Sequence, residues 1–361
     1  MSLTLNNVSR SVNGELHLSD ISMSLSAGSF NVLLGRTLAG KTSLMRLMAG
    51  LDKPDSGQIL MHGENVLGVP IQRRNVSMVY QQFINYPHLS VFDNIASPLR
   101  VAGKSASVID NKVREIASLL HIEEFLKRFP LELSGGQQQR TAMARALVKD
   151  ASLILFDEPL ANLDYKLREE LRTELRDLFK ESKTVVVYAT TEPSEALALG
   201  GVTTLLHQGR AIQSGPAHIV YAQPDNILAA ELFSEPSLNM LFDYQSNNDE
   251  RFAIRPEHIT LAATKETDLA LELTVDVAEI SGSETFLHMR KQAIKRGTDD
   301  QPQEIVARLR GIHHYQTGDT VRAYFPQAKL FRFDADGHIL DPKKSSVEAV
   351  QGKHAKGAAN G

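Results

Sequence analysis

The sequence predicts an α/β domain with a helical insertion, followed by a small all-β barrel-like domain. Three observations carry that reading. Residues 30–51 run from an apolar strand through a glycine loop into a helix. A second apolar strand ends in paired carboxylates at Asp157–Glu158. From residue 252 to 341, short alternating segments are separated by turn signals such as Gly318–Asp319 and Asp336–Gly337.

Composition bounds the rest. At 361 residues the chain has room for two domains, each with its own core. A hydrophobic share of 42% against 23% charged is a globular balance. The net charge of −4 argues against a broad nucleic-acid surface, so no nucleic-acid partner is expected. No cysteine is present, which excludes disulfides, thiolate metal sites and thiol nucleophiles. No run approaches the ~18 apolar residues of a membrane span, and the first ten residues lack a basic region followed by an apolar core. Any membrane role is therefore expected to be peripheral and to act through partners.

In chain order, residues 3–8 and 18–25 alternate as antiparallel strands. Phe30 to Leu34 form a buried strand that ends at Gly35. Gly35, Arg36, Thr37, Leu38, Ala39, Gly40, Lys41 and Thr42 fit the phosphate-loop pattern position by position. Ser43 follows, and Leu44, Leu47, Met48 and Leu51 recur at helical spacing. Loop amides and the helix N-terminus suit phosphates, Lys41 suits the β- and γ-phosphates, and the Thr42 hydroxyl suits magnesium. The expected ligands are thus a nucleoside triphosphate and Mg2+.

Residues 57–61 and 76–80 read as two more strands, with Gln81 at the second strand's end, where active-site side chains of α/β sheets sit. The insertion is expected over about 86–150. Pro87 and Pro98 are expected to break the chain, and Ile109, Val113, Ile116 and Leu120 mark an amphipathic helix. Leu133, Ser134, Gly135, Gly136 and Gln137 then open another helix, with Ser134 as N-cap and two glycines exposing amides to an anion. Its expected inner face is Ala142, Met143, Ala146 and Leu147.

Leu153 to Phe156 form a buried strand. Asp157 at its end suits magnesium through water, and Glu158 suits a general base for the attacking water. Asn162 and Asp164 precede a helix whose expected stripe is Leu163, Leu167, Leu171, Leu175 and Leu178. Residues 184–190 are a further buried strand, with Thr191–Glu192 at its end. The nucleotide domain is expected over 1–240, a linker over 241–250, the barrel over 251–341 and a disordered tail over 342–361.

Phosphate loop, Gln81, LSGGQ and the LILFDE strand, in that order, resemble the ATPase subunit of an ABC transporter along nearly the whole chain, which implies that the nucleotide is ATP. Val79 to Gln82 with Asn85-Tyr86-Pro87, and Phe252 to His258 with Gly282 to Thr285, resemble the carbohydrate-importer branch and its OB/TOBE-type C-terminal barrel. The stretches VYQQFINYP, NIASPLRV and YATTEPSEAL resemble one of the two ATPases of bacterial glycerol importers. The resemblance implies a head-to-tail dimer in which Leu133 to Gln137 close on the partner's ATP and Asn162 and Asp164 form a dimer loop. It also implies two integral membrane permease subunits, a periplasmic solute-binding protein, and a place on the cytoplasmic face of a bacterial inner membrane.

Three departures from that family's pattern matter. Thr191 stands where the family places a His that contacts the γ-phosphate; losing one transition-state donor costs on the order of 3–4 kcal/mol, roughly 10²–10³-fold in rate. Val12 aligns with an adenine-stacking aromatic, and such stacking is worth roughly 1–3 kcal/mol in single-strand binders. Arg36 replaces a usual proline. These leave several readings open. A degenerate site paired with a second, dissimilar ATPase is one. A homodimeric ATPase for a sugar or glycerol 3-phosphate is another, and an ATP-binding interaction or regulatory subunit with little hydrolysis is a third. A soluble ABC ATPase acting on DNA or the ribosome is disfavoured, because the chain has neither a second nucleotide domain nor a long coiled-coil insertion.

Overall fold

The computed structural model describes residues 2–161, 163–241, 250–263, 265, 268–291 and 304–340. The chain divides into two units, residues 1–222 and 223–361.

In the first unit, β1 (Leu3–Val12) and β2 (Glu15–Leu25) form a hairpin. Asn13 and Gly14 turn it with φ of 52° and 84°, the two left-handed residues that a tight hairpin needs. Next come β3 (Phe30–Leu34), α1 (Lys41–Ala49), β4 (Ser56–Met61), β5 (Glu64–Asn65) and β6 (Val76–Val79). The insertion holds α2 (Val91–Val101), α3 (Ala106–Leu119) and α4 (Gly135–Leu147). The unit ends with β7 (Leu153–Asp157), α5 (Tyr165–Phe179), β8 (Val185–Thr190), α6 (Pro193–Leu199), β9 (Val202–His207), β10 (Arg210–Pro216) and α7 (Ala217–Ala222).

Two sheets sandwich α1. One is antiparallel, in the order β2-β1-β4-β5; the other runs β10-β9-β3-β8-β7-β6, parallel except for the edge strand β10. Leu44, Met45, Leu47 and Met48 of α1 share one core with Leu3, Leu5 and Leu18 of the first sheet and Leu153, Leu155, Val185 and Val187 of the second. Every residue of β7 and β8 is buried, as their unbroken apolar runs require of strands covered on both faces. Gly50 stops α1 at φ 78°, its amide returning to the last turn.

Two local expectations need correction. Pro98 does not break the chain but lies inside α2. A proline there cannot donate to the Asn94 carbonyl, and the Ser97 hydroxyl does so instead, at 2.8 Å. On α5 the buried stripe is Leu171, Leu175 and Phe179, with Leu178 on the exposed side, because the i, i+4 row from Leu167 arrives at Phe179.

The second unit contains α8 (Ile227–Leu232), β11 (Asn239–Leu241), β12 (Arg251–Ile254), β13 (Leu269–Ser281), β14 (Glu284–Arg290), β15 (Glu304–Arg310), β16 (Thr320–Phe325) and β17 (Phe331–Phe333). Its sheets, β11-β12-β17 and β15-β14-β13-β16, close on one core that includes Phe252, Ile254, Leu273, Val275, Leu287 and Phe325. The unit begins at residue 223, earlier than the boundary expected after 240, because β11 pairs with β12 and Asn226 bridges to His338. Most of the expected linker and the expected tail lie outside the described residues. Among the described residues, no helix is long and apolar enough to cross a membrane.

Candidate functional site

The parallel strands β3, β6, β7 and β8 all deliver their C-terminal ends to one edge of the sheet. They carry, respectively, the loop from Gly35, Gln81, Asp157–Glu158 and Thr191–Glu192, at the edge where open α/β sheets place their ligands.

Loop 35–40 is shaped by two glycines. A Cβ on Gly35 would stand 2.4 Å from the Leu206 carbonyl oxygen, and Gly40 takes φ 102° directly before α1. Arg36, Thr37 and Leu38 are exposed at the rim. Helix geometry leaves the first amides of α1, those of Lys41, Thr42 and Ser43, without intrahelical acceptors, which makes an anion seat.

The Lys41 side chain is buried, and its Nζ donates to the Gly35 and Arg36 carbonyls at 2.8 and 3.2 Å. It also pairs with Glu158 Oε1 at 3.2 Å. Glu158 takes φ 47°, which turns its side chain to face Lys41, and its Oε2 accepts from Gln81 Nε2 at 3.2 Å. Thr42 Oγ1 donates to Asp157 Oδ2 at 2.8 Å. Burial raises the Asp157 pKa above the ordinary carboxylate value; the Thr42 hydrogen bond and the Lys41 charge oppose that, while Glu158 adds to it. Lys41, Thr42, Gln81, Asp157 and Glu158 thus converge. A hydroxyl, a carboxylate and a carboxamide supply only oxygen to a metal at Thr42, Asp157 and Gln81, which fits hard Mg2+.

The adjoining cleft measures about 500 Å³. Thr37 to Ser43, Gln81 and Glu158 line it, together with Glu15, Leu16, His17, Gln208 and Gly209, none of which the sequence alone assigned to the site. His17 Nδ1 lies 3.4 Å from Ser43 Oγ. The Gly209 amide donates to the Ala39 carbonyl, and its own carbonyl accepts from Ser19. The signals were two turn dipeptides, Asn13-Gly14 and Gln208-Gly209, which fold these segments back beside the loop. Val12 pairs with Glu15 at the hairpin end and is not among the lining residues.

Thr191 is exposed, while Glu192 accepts from Arg168 Nη1 of α5 at 2.8 Å. Ser134 caps α4 through a reciprocal pair with Gln137: each side chain bonds the other residue's backbone amide. A Cβ on Gly136 would stand 3.2 Å from Leu163 Cδ2. Leu133 is buried, and Gly135 is exposed at the helix start. None of residues 133–137 lines the cleft of their own chain. Asp164 caps α5 by accepting from Leu167 N at 3.0 Å, and Asn162 lies outside the described residues.

Comparison with known proteins places the chain in a family. Residues 18–161 match the ABC transporter family, and residues 252–333 match the TOBE domain family. An ABC transporter ATP-binding protein, YcjV, of Escherichia coli is 31% identical, covering 93% of this chain and 98% of that one. The sn-glycerol-3-phosphate import ATP-binding protein UgpC of Rhodopseudomonas palustris is 34% identical over 93% of this chain and 98% of its own. The Salmonella typhimurium protein of that name is 33% identical over 92% and 98%. A dimeric bacterial ABC transporter cassette superposes with a TM-score of 0.56 at 26% identity, covering 60% of this chain and 98% of the cassette. A post-hydrolysis state of that cassette, bound to ADP and Pi, gives 0.55 at 27% with the same coverage.

Proposed function

From the premise that this chain belongs to the ABC transporter ATP-binding family, we propose that it powers import of glycerol, glycerol 3-phosphate or a related polyol. The activity is ATP hydrolysis coupled to transport. The observation that carries it is the convergence of Lys41 and Gln81 on the two oxygens of Glu158, beside the Thr42–Asp157 pair.

The residues divide the work. Loop amides and Lys41 hold the β- and γ-phosphates, with Lys41 exchanging its Glu158 contact for phosphate oxygens. Thr42, Asp157 and Gln81 hold Mg2+, which when bound neutralises phosphate charge. Released from Lys41, the Glu158 carboxylate accepts a proton from the attacking water as its oxygen bonds to the γ-phosphorus and the bond to the bridging oxygen breaks.

The finer reading is asymmetric. In a dimer with a second, dissimilar ATPase, Ser134 to Gln137 of this chain serve the partner's nucleotide, while Thr191 leaves this chain's own site short of a γ-phosphate donor. The assembly would sit on the cytoplasmic face of the membrane against two permease subunits, supplied by a periplasmic binding protein. A symmetric dimer is the second reading, favoured by the dimeric cassette among the similar solved structures. Native mass spectrometry of the complex purified with its permeases decides between them. One copy of this chain beside a different ATPase supports asymmetry; two copies of this chain end it.

A further inference from the structure

The C-terminal end of β8 is where the phosphate loop and the acidic turn find backbone acceptors. The Gly35 amide donates to the Thr190 carbonyl at 3.3 Å, and the Glu158 amide to the Ala189 carbonyl at 3.1 Å. Side chains fix that end from the other direction. Thr190 Oγ1 accepts from the Glu192 amide at 3.0 Å and donates to Glu195 Oε2 at 2.6 Å. As a carboxylate, Glu195 has no proton to donate, so that bond runs from the Thr190 hydroxyl. The Tyr188 hydroxyl donates to the same oxygen at 3.2 Å.

Glu195 is 5% exposed and does not line the cleft. A carboxyl in that place is costly unless hydrogen-bonded, and both of its donors come from β8. We infer that Glu195 is a positioning residue that, through Thr190, fixes the turn bearing Thr191 against the phosphate loop and Glu158. The inference rests on the reading of Thr191 and Glu158 as parts of an ATP site. With a short Thr191 side chain there, the backbone of the turn decides how closely its hydroxyl approaches the γ-phosphate.

The full-length chain and its Glu195→Ala, Glu195→Gln and Thr190→Val variants test this, with Leu199→Ala as a buried α6 control outside the bond chain. Three quantities are measured: affinity for a fluorescent ATP analogue, single-turnover hydrolysis with magnesium, and hydrogen exchange at the Glu192 amide. Glu195→Ala and Thr190→Val should slow hydrolysis about tenfold or more while affinity changes less than about twofold. They should also speed Glu192 exchange about tenfold or more. Glu195→Gln keeps an acceptor for Thr190 and should stay within about threefold of wild type on every measure. Unchanged Glu192 exchange or hydrolysis in Glu195→Ala overturns the inference, as does an equal loss in Leu199→Ala or in Glu195→Gln. Should Glu195→Ala not fold, the nearly isosteric Thr190→Val decides. Wild-type chain that binds no ATP would sink the nucleotide reading, and Glu192 exchange would still judge the positioning.

Discussion

Gln139 Nε2 donates to the Pro159 carbonyl across 2.6 Å, tying the helix capped by Ser134 to the turn that follows Asp157–Glu158. The same helix holds the stretch after Gln81. Asn85 Nδ2 donates to the Gln138 carbonyl at 2.8 Å, and Arg145 Nη2 to the Ile84 carbonyl at 2.6 Å, with its guanidinium 4.8 Å from the centre of the Tyr86 ring. A shift of the insertion is therefore felt at the turn bearing Glu158 and at the Gln81 strand end together.

Replacing Gln139 by leucine keeps most of the volume but leaves the Pro159 carbonyl unpaired. Gln139 is fully buried, so the expected cost is about 1–3 kcal/mol of stability. Urea denaturation measures it. Hydrolysis should fall further than nucleotide affinity, since the bond acts on the turn and not on the phosphate seat.

Asp157→Asn should separate stability from activity. Burial holds the Asp157 pKa above the ordinary 3.8, so at pH between the unfolded and folded values the folded chain holds a proton there that the unfolded chain has lost. That contribution to stability is fully present below the unfolded value and disappears as pH rises through the folded one. Asparagine carries no charge to desolvate and still accepts from Thr42. The variant should therefore melt above wild type at pH 7 without nucleotide, and the difference should vanish as pH falls below about 4. Magnesium-dependent hydrolysis should be lost throughout. A melting temperature equal to wild type at pH 7 would contradict the burial account.

Much of the site was legible because its parts are local in sequence. Gly35 to Ser43 and the Asp157–Glu158 pair each declare themselves by residue type and the strand or helix beside them. Glu15, Leu16, His17 and Gln208 were not, since their position depends on which hairpins fold back over the loop, and side-chain type alone does not encode that. Glu195 was hidden for another reason: near a helix start it reads as a solvated acid, and only the packing of β8 shows it buried. The fold followed the same rule. Buried strands such as Leu153–Phe156 announced themselves, while α8 and β11 join the second unit through bonds to residues far along the chain: Asn226, the cap of α8, bridges to His338, and Asn239 of β11 exchanges hydrogen bonds with Val306.

Lys41→Ala removes the cation that bridges the loop carbonyls and Glu158. Charged hydrogen bonds to phosphate contribute about 1.5–3 kcal/mol each, so ATP affinity should fall about tenfold or more. Equilibrium binding of a fluorescent ATP analogue reads this directly. Affinity within a few-fold of wild type would remove Lys41 from the phosphate site.

Thr191→His tests whether the missing donor limits the chain's own site. Thr191 is exposed, so a larger ring meets no packing barrier there, and the β8 end that carries it is already fixed to the loop by the Gly35–Thr190 bond. An imidazole N–H reaches further than a threonine hydroxyl and can donate to the γ-phosphate as charge develops in the transition state. One such donor is worth on the order of 3–4 kcal/mol where its geometry is ideal. An introduced ring without its own supporting bonds should recover part of that, about tenfold or more in single-turnover hydrolysis with ATP affinity little changed. The gain must depend on Glu158. If Glu158→Gln leaves the Thr191→His rate intact, the ring is acting elsewhere; if Thr191→His gains nothing while Lys41→Ala abolishes binding, the wild-type turn already satisfies the transition state.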